Sequence, residues 1–260
     1  MQAHKQLSLA ISPCPNDIFI FSGIFSKKVA FPFHVNFSFA SVDLLNSNAF
    51  EGTYDLSKVS LAQYNKINSI YSLLPVGLAF GKKTGPKLVS SPDTSYHKDK
   101  VIAVPGPSTT ADFLVKQVLN HKQIIYLPFD KIIPAIHNKV CEMGVVIHES
   151  RLCLEKYELK VLCDLGHQWY KQTKLMLPLG GIVIKKTFPL SIQTLFCKAL
   201  KDSIEYAYSH KKEVEQLMLQ YSQEKNVQAL WSHVHNFVSD DTHSLSKESK
   251  RCLQKFMKLL

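Results

Sequence analysis

Hydrophobic and polar positions follow two alternating patterns along this chain. Short apolar runs end at Pro, Gly or Ser, and longer stretches repeat an apolar residue every three or four positions. Val35, Phe37 and Phe39 alternate with Asn36 and Ser38, which is the period of a half-buried strand. Apolar runs predict further strands at residues 7–12, 101–104, 124–127, 144–147 and 181–184.

The stretches between these runs have the spacing of helices. An apolar stretch at 18–25 follows the first strand, and helical spacing continues from about residue 190 to the end. Another apolar stripe begins after residue 110, formed by Leu114, Val115, Val118 and Leu119. Alternating strands and helices predict an α/β protein with mainly parallel sheets. Ligands of such proteins bind beyond the carboxyl ends of the strands, so polar residues at those ends are the first candidates for a site.

The first candidate loop follows the first strand and carries two prolines, at residues 12–17 (SPCPND). The prolines fix the backbone, and Asn16 or Asp17 can cap the helix that follows. The same loop can instead present Asn16 and helix N–H groups to a ligand. Both interpretations fit the residues.

The second candidate loop is residues 105–110 (PGPSTT), where hydroxyl side chains precede a helix. Thr109 and Thr110 can act as caps. A helix start also offers unpaired N–H groups and the positive end of the dipole, which suit a carboxylate. The sequence supports a cap and a carboxylate site equally.

The third candidate is the end of the strand at 144–147, where His148, Glu149, Ser150 and Arg151 follow an apolar run. A single histidine is more often structural than catalytic. At a strand end beside a cleft, however, an imidazole that titrates near neutrality suits the work of a general base.

Charge and composition exclude several classes of function. Among 260 residues, Lys and Arg number 31 against 21 Asp and Glu, a formal net charge of +10. Only Arg151 and Arg251 are arginines, whereas nucleic-acid readers depend on the bidentate arginine fork. We therefore expect no nucleic-acid partner. Solvated lysine faces account for the charge, and its field can also gather a small anion.

No apolar run approaches the roughly 18 residues that a membrane helix needs, so no membrane association is expected. The first residues lack the features of an export signal, which predicts a cytoplasmic protein. The six cysteines form no CxxC pair and are expected to be reduced. His233 and His235 are the one candidate metal pair, but helical spacing points them to different sides, so no metal site is predicted.

Seven segments occur in a specific order, at 12–21 (SPCPNDIFIF), 56–60 (LSKVS), 104–111 (VPGPSTTA), 147–151 (IHESR), 164–166 (DLG), 177–181 (LPLGG) and 231–235 (WSHVH). Together they resemble the 1,4-dihydroxy-6-naphthoate synthases, enzymes of the futalosine route to menaquinone. The resemblance runs from about residue 7 to residue 240. Each segment alone is weak, and the seven in order are specific.

The resemblance implies a two-lobed fold like the type II periplasmic binding proteins, with a ligand cleft between the lobes. Residues 1–93 and 178–260 would form the larger α/β lobe and 94–177 the smaller. The chain would cross between the lobes at about 82–93 and again at 177–181.

The activity that the resemblance implies is conversion of cyclic dehypoxanthine futalosine to 1,4-dihydroxy-6-naphthoate, without a metal or organic cofactor. The substrate is a small anionic carboxylate. His148 would be the base, so turnover is expected to fall when acid protonates it. The implied substrate-binding residues are Asn16, Lys58, Val59, Ser60, Thr109 and Thr110.

Three positions depart from the family pattern, at Ile18, Ser108 and His167, and they bear on the shape of the pocket.

Two other functions are alternatives to the naphthoate synthase. Chorismate dehydratase is an earlier enzyme of the same route on a related fold, but the segments around Cys14 and His148 favour the naphthoate enzyme. A non-catalytic solute receptor has the same general architecture but would carry a signal peptide or a lipid-anchored cysteine near its start.

Overall fold

The computed structural model describes residues 6–148 and 154–260. Its strands are β1 (Gln6–Ile11), β2 (His34–Phe39), β3 (Leu56–Ser60), β4 (Tyr71–Leu73), β5 (Ala79–Gly81), β6 (Lys87–Ser90), β7 (Ile102–Val104), β8 (Ile124–Tyr126), β9 (Met143–Val146), β10 (Lys160–Asp164) and β11 (Leu177–Lys185). All the strands predicted from the sequence are present.

Helices separate the strands from β1 to β4 and from β7 to β9, whereas β4 to β7 follow one another without a helix between them, and the helices after β11 are consecutive. They are α1 (Pro15–Phe25), α2 (Val42–Phe50), α3 (Tyr64–Ile67), α4 (Thr110–Gln117), α5 (Ile132–His137), α6 (Leu165–Thr173), α7 (Leu190–Ser209), α8 (Lys211–Tyr221), α9 (Val227–Phe237), α10 (Asp240–His243) and α11 (Lys247–Met257). The α/β class predicted from the hydrophobic pattern is confirmed. None of the helices in the described part of the chain has both the length and the apolar character needed to cross a membrane.

The strands form two separate sheets. The larger has the order β2-β1-β3-β11-β4, with β5 also pairing with β11, and the smaller has the order β10-β6-β9-β7-β8. β1 runs parallel to β2 and β3, and β7 runs parallel to β8 and β9. The pairs of β11 with β3, β4 and β5, and of β6 with β9 and β10, are antiparallel.

The expectation of mainly parallel sheets is therefore wrong, because both sheets are mixed. The strands that run opposite to the rest of their sheets are β6 and β11, and each is the first strand after the chain passes from one sheet to the other. A strand that returns from the other sheet enters from the opposite end. Apolar runs reveal burial but carry no information on strand direction.

Helix α1 fixes the cleft edge of the larger sheet. Its residues from Pro15 to Ile24 are all buried, as expected for a helix that is apolar on every side and enclosed by its neighbours. It packs against α7, α8 and α9. Phe19 and Phe21 lie in the same core as Leu9 and Ile11 of β1. This core holds the loop between β1 and α1 in one position.

The chain passes between the sheets twice. β5 belongs to the larger sheet and β6 to the smaller, so the first passage lies between Gly81 and Lys87. Thr84 in this passage donates a hydrogen bond to Asp164 at the end of β10 (3.0 Å). The division into lobes at residues 93 and 178 stays a prediction, and strand pairing places residues 87–90 with the smaller sheet.

Candidate active site

One cavity lies between the two sheets, where strands end and helices begin. It spans about 750 Å³ including open solvent at its mouth. The lining comes from the end of β3 and the segments that follow β1, β7 and β9, together with β11 and α9. Further residues come from α2, β5 and the segment between β5 and β6. The position matches the rule that ligands of α/β proteins bind beyond the carboxyl ends of strands.

The loop after β1 presents polar side chains to this cavity. Cys14 is the N-cap of α1, and its backbone carbonyl accepts hydrogen bonds from the N–H groups of Asp17 and Ile18 (both 3.0 Å). The interpretation of Asn16 and Asp17 as caps is therefore wrong, because the two prolines start the helix earlier than expected. Both side chains line the cavity instead.

A buried ion pair joins α1 to β3. Lys58 Nζ lies 2.8 Å from Asp17 Oδ1, and both side chains are almost fully excluded from solvent. Asp17 also accepts hydrogen bonds from Ser12 Oγ (2.6 Å) and Asn16 Nδ2 (3.0 Å). A buried carboxylate needs an ion pair and several hydrogen bonds of this kind to offset the free energy lost when it leaves water. The charges on this wall of the cavity therefore compensate each other.

Gly180 of β11 makes room for the lysine of this pair. A Cβ atom at Gly180 would lie 2.9 Å from Cε of Lys58, closer than packed carbon atoms come. The glycine segment at 177–181 therefore determines the path of the Lys58 side chain along the cavity wall.

His233 extends the polar wall from α9. Its Nε2 lies 3.0 Å from Asn16 Oδ1, and the ring is buried, whereas His235 is exposed. An amide oxygen only accepts, so this contact places a proton on Nε2 of His233. The predicted helix at this position is confirmed. In the described residues, no group of three or more His, Cys, Asp or Glu is arranged to hold a metal.

His233 was not predicted as a cavity residue, since its spacing from His235 suggested only a metal ligand. A signal was present, because His233 stands on the buried stripe of α9 with Leu230 and Val234. A polar side chain on an apolar stripe needs a partner inside the protein.

The end of β3 is held by α2. Ser60 donates its backbone N–H to Asn46 Oδ1 (2.9 Å), and Asn46 Nδ2 donates to Ser60 Oγ (3.1 Å). Val59 and Ser60 are buried and line the cavity. Asn46 was also missed by the sequence argument, because its role depends on the packing of α2 beside β3.

The loop before α4 separates the roles of two adjacent threonines. Thr109 is the N-cap, since its Oγ1 accepts from Asp112 N (3.1 Å) and donates to Gly106 O (3.0 Å). Thr110 Oγ1 donates to Leu179 O of β11 (2.8 Å), which ties α4 to the larger sheet. Gly106 has a φ of +90°, a conformation that favours glycine.

The first turn of α4 also points backbone donors toward the cavity. Phe113 is the first residue whose N–H bonds back to a carbonyl of this helix start, at Thr109 O. The N–H groups of Thr110 and Ala111 precede that bond, and both residues line the cavity. Such donors, at the positive end of the dipole, suit a carboxylate. The cap at Thr109 is confirmed, and the carboxylate site stays a prediction.

The negative charge of Asp112, in the first turn of α4, is neutralised by Lys116 one turn further along the helix. Asp112 pairs with Lys116 (2.8 Å) and accepts hydrogen bonds from Ser108 N and Tyr126 OH. Burial alone would lower the pKa of Lys116, but its hydrogen bonds to Asp112 and Tyr126 raise it above the ordinary value. Lys116 therefore keeps its charge, and Asp112 does not cancel the attraction of the helix start for anions.

His148 lies directly after β9 in an unusual backbone conformation. Its φ is +61°, which is rare for a residue with a side chain and is often retained at functional sites. Its Nδ1 lies 2.6 Å from Cys14 Sγ, and its ring meets Phe129 edge-on at 4.7 Å. Glu149, Ser150 and Arg151 lie outside the described residues.

The cavity brings together all seven residues that the resemblance implied, namely Asn16, Lys58, Val59, Ser60, Thr109, Thr110 and His148. Ile18, Ser108 and His167, which depart from the family pattern, do not line it. Ile18 packs in the core instead. The three residues that depart from the family pattern therefore do not change which side chains line the cavity.

Comparison with known proteins gives a consistent result. Residues 7–260 match the family model described as "Menaquinone biosynthesis". The "1,4-dihydroxy-6-naphtoate synthase" of Thermus thermophilus is 32% identical over 249 residues, covering 96% of this chain and 92% of that protein.

Solved structures support the fold. Protein AF1704 from Archaeoglobus fulgidus superposes with a TM-score of 0.92 at 28% identity, covering 100% of this chain and 97% of that one. The periplasmic aliphatic sulphonate binding protein SsuA from Escherichia coli has a TM-score of 0.68 at 11% identity, covering 99% and 87%. The second likeness concerns fold alone, and it confirms the predicted architecture of the periplasmic binding proteins.

Proposed function

The chain belongs to the menaquinone biosynthesis family, and from that premise we propose that it is a lyase that converts cyclic dehypoxanthine futalosine to 1,4-dihydroxy-6-naphthoate. The observation that carries this proposal is the shared cavity of His148 and the first turn of α4. One side offers an imidazole for proton transfer, and the other offers donors for a carboxylate.

The proposed reaction requires the protein mainly to position the substrate and one base. A proton next to a carbonyl is acidic enough for a modest base, the sugar-derived part leaves by elimination, and aromatisation drives the reaction forward. The protein holds the carboxylate, places one base and excludes water. His148 is the base in this proposal, and it enters the cycle uncharged.

The carboxylate is bound at the start of α4. The N–H groups of Thr110 and Ala111 are its donors. The Thr110 hydroxyl holds this turn against β11 through its hydrogen bond to Leu179 O, and Thr109 caps the helix. On the opposite wall, Ser60 and Asn16 offer polar groups and Val59 offers its backbone. Lys58 is paired with Asp17, so it contributes to this wall as part of an ion pair and not as an isolated cation.

The localisation that accompanies this activity is cytoplasmic. Cys141, Cys163, Cys197 and Cys252 carry free thiols, which persist in a reducing compartment.

Product analysis tests the proposal. Purified protein is incubated with cyclic dehypoxanthine futalosine, and the products are separated by liquid chromatography with mass detection. We expect 1,4-dihydroxy-6-naphthoate and the released sugar-derived fragment, and no product from His148→Ala. A parallel incubation with chorismate tests the competing enzyme, and its dehydration alone would overturn the proposal. Recovery of bound but unchanged substrate would assign the protein to the solute receptors.

A further inference from the structure

Cys14 and His148 meet across the cavity, although they come from different sheets. The sulfur of Cys14 lies 2.6 Å from Nδ1 of His148, within hydrogen-bonding distance. Cys14 follows β1 of the larger sheet, and His148 follows β9 of the smaller. Both side chains line the cavity. A thiol and an imidazole in contact at a substrate cavity form a pair in which the protonation of one affects the other.

The position of the sulfur is fixed by its backbone. Cys14 lies between Pro13 and Pro15, which restrict the chain on both sides, and it is the N-cap of the eleven-residue helix α1. The residue is buried. The positive end of the α1 dipole lies at this N-cap and stabilises negative charge there, as at other helix starts.

The position of the imidazole is equally constrained. The backbone of His148 has a left-handed conformation, with a φ of +61°, which few residues with a side chain adopt. Phe129 contacts one edge of the ring. A histidine base works only if its reacting nitrogen keeps one orientation, so a partner at the other nitrogen has a direct use.

We propose that Cys14 is a positioning residue for His148, holding the imidazole through Nδ1 so that Nε2 exchanges the proton with the substrate. The inference rests on the proposed function of His148 as the base. The sulfur, as a thiolate, accepts a hydrogen bond from Nδ1–H, which leaves the lone pair on Nε2. This is the part that a carboxylate plays toward histidine in serine hydrolases.

The protons balance through one step. The substrate proton passes to Nε2, and the electron pair of the broken C–H bond stays with the substrate for elimination. The ring becomes an imidazolium, whose Nδ1–H remains bonded to the sulfur. The thiolate keeps its charge throughout and stabilises the imidazolium. The other titratable groups of the cavity that the structure describes are Asp17 of α1, Lys58 of β3 and His233 of α9, and Asp17 and Lys58 are paired with each other.

Three variants test the contact. Cys14→Ala removes the acceptor, and we expect kcat to fall by about 100-fold, which is the cost typical of a misplaced reacting group, with KM changed less than about twofold. Cys14→Ser keeps a neutral acceptor, and Cys14→Asp restores a charged one. Both should therefore retain more activity than Cys14→Ala. Cys197→Ser is the matched control, because this cysteine of α7 does not line the cavity.

Two readouts separate positioning from a purely structural role. In Cys14→Ser the acid limb of the kcat profile should move to lower pH, since the imidazolium loses its anionic partner. Nitrogen-15 spectra should show the proton of His148 on Nδ1 in the native protein and a shift of that proton toward Nε2 in Cys14→Ala. An unchanged tautomer in Cys14→Ala overturns the inference. So does an unchanged acid limb in Cys14→Ser.

The same experiments distinguish this inference from the proposed function. If the native protein converts the substrate and Cys14→Ala does so at the same rate, only the positioning role is lost. If the native protein makes no naphthoate, the proposed function fails. The nitrogen-15 spectra still decide whether Cys14 sets the tautomer of His148, because they require no turnover.

Discussion

The two walls of the cavity differ in how their polar groups are used. On the wall of the larger sheet, Asp17, Lys58, Asn16 and Ser12 bind mainly to one another. On the wall of the smaller sheet, the polar groups are backbone N–H groups at the start of α4 and an imidazole in a left-handed conformation.

This difference suggests that one wall maintains the shape of the cavity and the other carries the groups for binding and catalysis. A self-compensated ion pair offers a substrate little charge, so its main contribution is to hold α1 against β3. Helix-start donors and the imidazole of His148 line the cavity on the other wall, and in the proposed function they act on the substrate. The four predictions below test whether the two walls divide these tasks.

Replacing the base should have the largest effect. His148→Ala is expected to lower kcat by about 100- to 10,000-fold, the usual contribution of a general base, while substrate still binds. Binding persists because it depends on hydroxyl and N–H donors. Steady-state kinetics and calorimetric binding measure the two quantities. His137→Ala, at an exposed position of α5, is the control. Near-native turnover in His148→Ala would remove this residue from the mechanism.

Breaking the ion pair between Asp17 and Lys58 should lower the stability of the protein more than its catalytic rate. Asp17→Asn leaves Lys58 buried without a counter-charge, and we expect the free energy of unfolding to fall by about 3–5 kcal/mol. Urea denaturation measures it. Adding Lys58→Met to this variant should recover most of the loss, because a buried pair replaced by apolar or neutral groups is often tolerated. A loss of less than about 1 kcal/mol in the single variant would contradict the structural role of this wall.

Removing the Thr110 hydroxyl should weaken substrate binding. In Thr110→Val the isosteric methyl cannot donate to Leu179 O, so the start of α4 and its N–H donors are no longer tied to β11. We expect binding to weaken by about 1–3 kcal/mol, with a corresponding rise in KM. Thr110→Ser keeps the hydroxyl and serves as the control. An unchanged dissociation constant in Thr110→Val would show that the bond between Thr110 and Leu179 does not hold the carboxylate site in place.

Its neighbour should behave differently. Thr109→Ala removes the cap of α4, and we expect the free energy of unfolding to fall by about 1 kcal/mol, with kcat unchanged. Thermal and urea unfolding measure the first quantity, and steady-state kinetics the second. A loss of activity without a loss of stability would show that Thr109, rather than Thr110, contacts the substrate.

Much of the fold was predictable because its signals are local. The alternation of β2, the apolar run of β7 and the stripe of α4 each follow from a few neighbouring residues. The direction of β11 was not predictable, because pairing with β3 joins residues more than a hundred positions apart.

The candidate site shows the same limit. Asn16 and Thr110 stood out as polar residues after predicted strands, and His148 at the end of an apolar run. Asp17 was interpreted as a cap because an acidic residue near a helix start usually is one. Its true partner, Lys58, comes from β3 and is brought close only by sheet pairing.

The sequence alone determined six of the eleven strands in the described residues, the main helical stretches, the position of the polar loops and the family that the motifs resemble, since these depend on neighbouring residues. The tertiary structure alone decided that Lys58 meets Asp17, that Thr110 reaches Leu179, and that the sulfur of Cys14 lies beside the ring of His148. Those contacts join residues far apart in the chain. They exist only because two separately formed sheets bring their strand ends to one cavity.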